Sequence, residues 1–364
     1  MLIGHGGNVY RAARAIGCSP EEILDFSSNV NPLPLKDEFL RYLERHLYSI
    51  QYLPEPDSRE LREKLASRYG ISYENILIGP GTTQWIYDLP IILDIGRVVI
   101  PIPTYADYED AAHLASRQVQ NWGPFPLMNQ WGPLFSQMVK RLKPHDLIFL
   151  CNPNNPTGQF MPPKMLKEVI SSRPDCTWCI DESYAPFIGR DEDSSLIPMG
   201  IPKNCLVLRS FSKIYGIPGL RLGAIFGDTP IIDRLFKCQR PWAVARITQL
   251  AGTFLIDRPE WESETREYLT KEKAYLIDAL KQLPHLHPIE SNTHFFLVRL
   301  SPPLKVAELS ESLLQQRILI RDCENFKGME GTNLFRISPR TRAENEHLIK
   351  VLKDMALRLH GRYN

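Results

Sequence analysis

A lysine follows two serines in the stretch SFSK, residues 210–213, and Arg221 lies shortly beyond it in GIPGLRLG. The hydroxyls of Ser210 and Ser212 together with one guanidinium suffice to hold a phosphate dianion. Lys213, beside them, can form a Schiff base with a carbonyl when its amine is partly deprotonated. Gly81, Thr82 and Thr83, in GPGTTQ, offer main-chain N–H groups and hydroxyls at the start of an expected helix, a second set of phosphate ligands. Asp181 ends the apolar run TWCID and could pair with a protonated ring nitrogen. Tyr184, three residues later, and Asn155, in NPNNPTG, could donate to a ring oxygen. Tyr105, in PTYADY, has a flat face for an aromatic ring. Alone, each has a plainer reading as a solvated lysine, a helix cap, a turn residue or a core tyrosine. Together they describe one ligand with a phosphate, an aldehyde, a ring nitrogen that wants an acid and a ring oxygen that wants donors.

That ligand is pyridoxal 5'-phosphate. Elements able to position its ligands alternate along the middle of the chain. ENILIGPGTTQ, RVVIPIPTYADY, DLIFLCNPNNPTG, TWCIDESYAPF and NCLVLRSFSK each read as a strand running into a polar loop, with helix-like stretches such as TTQWIYDLPIIL and PKMLKEVISSR between several of them. This rhythm predicts an α/β fold, a mostly parallel sheet covered by helices, with ligands beyond the carboxyl ends of the strands. After about residue 250 the texture changes to a long helix, ESETREYLTKEKAYLIDALKQL, then strands HFFLVRL, ILIRDC and NLFRISP with the helix VAELSESLLQQ, a smaller α+β domain. The expected division is residues 1–45 as an amino-terminal arm packed with the small domain, 46–250 as the large cofactor-binding domain and 251–364 as the small domain. Ser19, Pro20 and Glu22 are spaced as a capped helix start, and Asp57 and Glu60 repeat that spacing before LREKLASRYG, which ends at Gly70.

The composition is that of a globular chain: 364 residues, 43% hydrophobic, Lys+Arg 43 against Asp+Glu 42. A net charge of +1 gives no expectation of a nucleic-acid surface. No apolar run is long enough for a membrane span, and no secretory signal is recognised, so a cytoplasmic location is expected. Seven cysteines fit a reducing compartment better than a disulfide framework. Cys176 and Cys179 form a C-x-x-C inside an expected buried strand, with no second pair or histidine nearby, and no metal site is expected.

NPNNPTG, IDESY and SFSKIYGIPGLRLG resemble the fold type I pyridoxal-phosphate enzymes, in the branch of the histidinol-phosphate aminotransferases, over essentially the whole chain. The resemblance implies a homodimer with a shared active site. It implies Lys213 as the Schiff-base lysine, Asp181 on the pyridine nitrogen, Tyr184 and Asn155 on the ring oxygen and Tyr105 stacked on the ring. Gly81, Thr82, Thr83, Ser210, Ser212 and Arg221 would hold the phosphate, joined by Tyr52 from the neighbouring subunit. Pro80 stands where relatives often carry asparagine in G-N-G.

GHGGN, residues 4–8, followed by DFSSNVNP, 25–32, is similar within this branch to the decarboxylases of threonine phosphate that supply the cobalamin nucleotide-loop linker. That similarity implies substrate contacts from His5, Gly6, Gly7, Asn29, Arg321 and Arg336, and serine phosphate as a further substrate. A Gly-rich turn with a histidine and two arginines suits a substrate carrying a phosphate and a carboxylate. Which arginine takes which anion is open. Transamination, with Arg336 holding a carboxylate in the ring plane, remains an alternative, as does a non-catalytic cofactor-binding or sensing protein.

Overall fold

The structure is a computed structural model, and it describes residues 6–128 and 131–363. β1 (Leu24–Asp25) belongs to the amino-terminal arm. The large sheet follows with β2 (Ile76–Pro80), β3 (Arg97–Pro101), β4 (Gln118–Trp122), β5 (Asp146–Cys151), β6 (Thr177–Asp181), β7 (Cys205–Ser210) and β8 (Leu222–Gly227). Its spatial order is β2-β8-β7-β6-β5-β3-β4. β8 runs antiparallel to both of its neighbours, and every other pair is parallel. β4 and β8 are the two strands of this sheet that sequence reading missed. QVQNW is mostly polar and half-buried at the sheet edge, and LGAIFG carries two glycines.

Sheet residues alternate between two cores. Leu147, Phe149 and Cys151 of β5 meet Trp85 and Leu89 of the helix Thr83–Ile92 and Tyr108 of the helix Asp107–Leu114. Ile148 and Leu150 point the other way, toward Leu61 and Leu65 of the helix Arg59–Tyr69 and Leu166 of the helix Pro163–Ser171. This period-two partition explains why the strands read as continuous apolar runs: both faces are covered. It also places Cys179 inside the second strand layer with its thiol pushed well up by burial, and Cys176 is likewise raised by burial to about 11. Neither is the low-pKa thiolate that redox or metal chemistry uses.

The carboxyl-terminal part builds a four-stranded antiparallel sheet from β9 (Leu286–Pro288), β10 (Phe296–Leu300), β12 (Arg321–Asp322) and β13 (Leu334–Ile337), in the order β12-β13-β10-β9. β11 (Ile318–Leu319) leaves that sheet and pairs in parallel with β1. ILIRDC is therefore two short strands in two sheets rather than one. The break lies at Ile320, one residue before Arg321. Ser19-Pro20-Glu21-Glu22 forms a 3-10 turn rather than an α-helix: the Ser19 N–H donates to Glu22 Oε2 at 2.9 Å, and β1 stops the turn almost at once. The helix Arg59–Tyr69 ends at Gly70 in the left-handed conformation, as expected, but its N-cap is Ser58, and Asp57 instead pairs with Arg62 at 2.8 Å.

Phe26 follows β1, is fully buried, and packs with Leu276, Ile318, Phe335 and Ile337. Its N–H donates to Leu319 O at 2.9 Å, and its carbonyl accepts from the Ser338 N–H at 3.0 Å. Phe26 thus anchors the arm that carries Gly6 and Gly7. Phe26→Ala is expected to cost about 3–5 kcal/mol, read as a lower midpoint in urea unfolding; a loss under about 1 kcal/mol would show that the arm is not held by this core.

Candidate active site

The carboxyl ends of β2, β3, β5, β6 and β7 lie at one edge of the large sheet, because β2 and β7 are both antiparallel to β8. β8 runs the opposite way and so starts at that same edge, immediately after Arg221. Each loop leaving this edge brings one of the expected ligands. A recess of about 70 Å³ is lined by Gly81, Thr82, Thr83, Tyr105, Asn155, Asp181, Tyr184, Ser210, Lys213 and Arg221. It shares Tyr105, Asn155, Tyr184 and Lys213 with an outer cavity of about 500 Å³, whose walls include Gly6, Gly7, Asn29, Arg321 and Arg336.

At one end of the recess Gly81 has φ +80, and a Cβ on it would fall 2.8 Å from Arg221 Nη2. Thr82 and Thr83 open the helix Thr83–Ile92 toward the same guanidinium. The backbone there is shaped for an anion held by N–H groups, hydroxyls and one arginine. At the other end Asp181 is nearly fully buried. It accepts the Tyr108 hydroxyl at 2.8 Å and the Ser183 N–H at 2.9 Å. Both bonds suit a carboxylate aimed at a cationic ring nitrogen. Tyr105 stands edge-on to Tyr108, with ring centroids 5.7 Å apart. This set of donors, one acid and one lysine fits pyridoxal phosphate.

Lys213 Nζ lies 5.7 Å from the centre of the Tyr184 ring. The Lys213 carbonyl accepts the Asn31 N–H at 2.9 Å, which ties its loop to the amino-terminal segment. The Tyr184 hydroxyl accepts from Asn29 Nδ2 at 3.3 Å, and Asn29 Oδ1 is buried without a partner. Asn155 Oδ1 accepts from Arg336 Nη1, and Arg336 Nη2 donates to Ser27 O at 2.7 Å.

The two arginines meet at the amino-terminal turn. A Cβ on Gly6 would lie 3.3 Å from Arg321 Cδ, 3.5 Å from Arg336 Nη2 and 2.7 Å from Ser27 O, so only glycine fits there. Gly7 has φ +78 and donates its N–H to Ser27 Oγ at 2.7 Å, while Asp25 accepts from both Ser27 and Ser28. Arg321 donates to Asp322 O and to Asn325 Oδ1, each at 2.7 Å, and lies 4.6 Å from the Phe326 ring centre. Among the described residues neither guanidinium bonds a carboxylate. Burial lowers the pKa of both, and the charge of Arg336 lowers that of Arg321 further. One buried and one half-buried cation so placed favour an anion between them.

His5 lies outside the described residues. Asn8 caps the helix Val9–Ile16 by accepting from the Arg11 N–H, so it serves the helix start rather than the cavity. Ser212 does not line the recess: its hydroxyl bridges the main chain of Leu222, at 3.2 Å to both N and O. Tyr52 lies outside both cavities, exposed just after the 3-10 segment Leu47–Gln51. Sequence reading missed Tyr108 and Ser183 beside Asp181, and Asn325 and Phe326 beside Arg321. Tyr108 had a signal, its place one helical turn after Tyr105; Asn325 lies in a polar loop with none.

The chain matches the Aminotransferase class I and II family over residues 21–352. It is 33% identical over 357 residues to the threonine-phosphate decarboxylase of Salmonella typhimurium, covering 96% of each chain. It is 30% identical over 356 residues to the histidinol-phosphate aminotransferase of Methanothermobacter thermautotrophicus, covering 96% of this chain and 93% of that one. The crystal structure of L-threonine-O-3-phosphate decarboxylase from Porphyromonas gingivalis superposes with a TM-score of 0.80 at 30% identity, covering 91% of this chain and 98% of that one.

Tyr108→Phe removes one of the two bonds to Asp181 and is expected to weaken pyridoxal-phosphate binding about tenfold, measured by absorbance titration; unchanged affinity would detach Asp181 from the cofactor. The recess, its lysine and its acid carry one cofactor chemistry, and the chain belongs to the aminotransferase class I and II family, with the fold type I architecture of pyridoxal-phosphate enzymes.

Proposed function

We propose that this protein decarboxylates L-threonine O-3-phosphate to (R)-1-amino-2-propanol O-2-phosphate and CO2, the linker used in the cobalamin nucleotide loop, and that it also accepts L-serine phosphate. The observation that carries this reading is the convergence of Arg321 and Arg336 on the Gly6–Gly7 turn, in the wall of the outer cavity. A phosphate dianion can engage both guanidiniums at once. The substrate carboxylate would then be left without an arginine of its own. Relatives of both chemistries are similar to this chain, and the arrangement of these groups supports the decarboxylase reading.

Pyridoxal phosphate, when bound, supplies an electron sink for the pair left on Cα when the bond to the carboxylate breaks. Gly81, Thr82, Thr83, Ser210 and Arg221 would hold its phosphate, Asp181 its ring nitrogen, and Asn155 and Tyr184 its ring oxygen. Tyr105 would cover the ring face. Lys213 reaches both cavities and would return one proton to Cα in place of the departing CO2. Arg321, Arg336, Asn29, Gly6 and Gly7 would hold the substrate, with His5 beside them.

The reading includes a homodimer in which Tyr52 reaches the partner's cofactor phosphate. It is supported by the exposure of Leu47, Tyr48, Ile50, Tyr52 and Leu53 along one segment. Among the described residues no helix is long and apolar enough to cross a membrane.

A second reading has one specific support. Arg336 touches Asn155, the expected ring-oxygen ligand, and from there it could hold a carboxylate in the ring plane for amino transfer. Holoenzyme incubated with L-threonine phosphate and no 2-oxo acid separates the two. Sustained CO2 release with aminopropanol phosphate identified by mass is expected; no CO2, with amino transfer from histidinol phosphate to 2-oxoglutarate, would overturn the decarboxylase. Arg321→Met is expected to raise KM for threonine phosphate about 10- to 100-fold while leaving the cofactor's absorbance band unchanged. An unchanged KM would remove Arg321 from the phosphate site.

A further inference from the structure

Three residues adjacent in sequence to the cofactor ligands point away from the cofactor and meet one another. Glu182 follows Asp181, Arg209 precedes Ser210, and Tyr215 lies two residues after Lys213. Strand alternation explains the first two. Asp181 and Ser210 share the side of the sheet that carries Cys179, Leu206 and Leu208, so Glu182 and Arg209 fall on the side of Trp178, Ile180 and Val207.

There Arg209 and Glu182 are each about 1% exposed. Arg209 Nη2 donates to Glu182 Oε2 at 3.0 Å and forms an ion pair with Asp191 Oδ1 at 3.1 Å. Glu182 is saturated further by the Ser195 hydroxyl at 2.6 Å and the Leu196 N–H at 2.8 Å. Arg68 continues the chain, with Nη2 at 3.1 Å from Asp191 Oδ2 and 2.9 Å from Glu262 Oε2. Glu262 Oε1 accepts the Tyr215 hydroxyl at 2.5 Å. None of these side chains lines the recess, apart from the outer cleft that Arg68, Asp191 and Glu262 share on the far side.

We propose that Glu182, Arg209 and Tyr215 are positioning residues, a buried ionic frame that fixes Asp181, Ser210 and Lys213 relative to one another. A buried pair is a weak source of net stability, and conformational specificity is the role open to it. In this frame the Glu182–Arg209 pair joins β6 to β7, each of which carries an expected cofactor ligand, and the Tyr215 hydroxyl on Glu262 ties the Lys213 loop to the helix Pro259–Lys281. The frame rests on the cofactor recess alone and is independent of whether the reaction is decarboxylation or amino transfer.

The test reads the bound cofactor rather than turnover. Holoenzyme variants Tyr215→Phe, Arg209→Lys and Arg209→Met are compared with the wild type for visible circular dichroism per bound cofactor and for the rate of cofactor dissociation. Tyr215→Phe is expected to change the visible band by a third or more and to speed dissociation about tenfold, equivalent to about 1.4 kcal/mol. Arg209→Lys is expected to retain more of the wild-type signal than Arg209→Met. Tyr215→Phe deletes one hydroxyl only, so it decides the matter if the Arg209 variants do not fold. A lowered melting temperature with an unchanged band and unchanged dissociation rate would overturn the proposal and leave the frame as packing alone.

Discussion

A buried guanidinium, that of Arg336, and a half-buried one, that of Arg321, share one corner of this molecule without a carboxylate between them among the described residues. Arg321 and Arg336 come from neighbouring strands β12 and β13, paired directly across the small sheet. Their side chains are held by neutral acceptors only: a main-chain carbonyl and an asparagine side chain each. Such a pair repels and is desolvated, so it persists only because the surrounding fold over-determines it. Asn325, Phe326, Asn155 and Ser27 supply that support, and Gly6 closes the corner because nothing larger than hydrogen fits there. The closeness of the two guanidiniums is thus set by the folded backbone. The amino-terminal arm, the small sheet and the large sheet each contribute one side of it.

The rest of the site follows from a single edge of the large sheet. Five strands deliver loops to that edge, and a sixth, β8, begins there because it runs the other way. The recess therefore gathers residues from 81 to 221 with no long excursion of chain. Behind the sheet, the alternation that turns Asp181 and Ser210 toward the recess sends Glu182 and Arg209 into a network of acids and arginines. The front of the sheet does chemistry and the back holds its spacing.

Much of this was legible in the sequence, for physical reasons. Strands covered on both faces read as apolar runs, so five of the seven large-sheet strands were visible and their following polar residues could be questioned. β4 and β8 escaped because an edge strand tolerates QVQNW and because glycines dilute LGAIFG. ILIRDC looked like one strand, but its two halves join different sheets, a choice made by the arm pairing through β1, far away in sequence. Ser212 looked like a phosphate ligand by type and spacing, yet its hydroxyl is used by the main chain of Leu222, a tertiary contact with no local signature. Glu182 and Arg209 hid inside recognised motifs, because their neighbours drew the chemical reading.

The central claim is that one phosphate occupies both arginines and leaves the carboxylate free to depart. It is tested most directly by a crystal structure of the holoenzyme with the phosphorylated amine product bound. The account predicts the phosphate seated between the Arg321 and Arg336 guanidiniums and the Gly6–Gly7 turn, with the amine toward Lys213. A phosphate bound away from Arg336, leaving that guanidinium directed at Asn155 and open to a carboxylate, would contradict it.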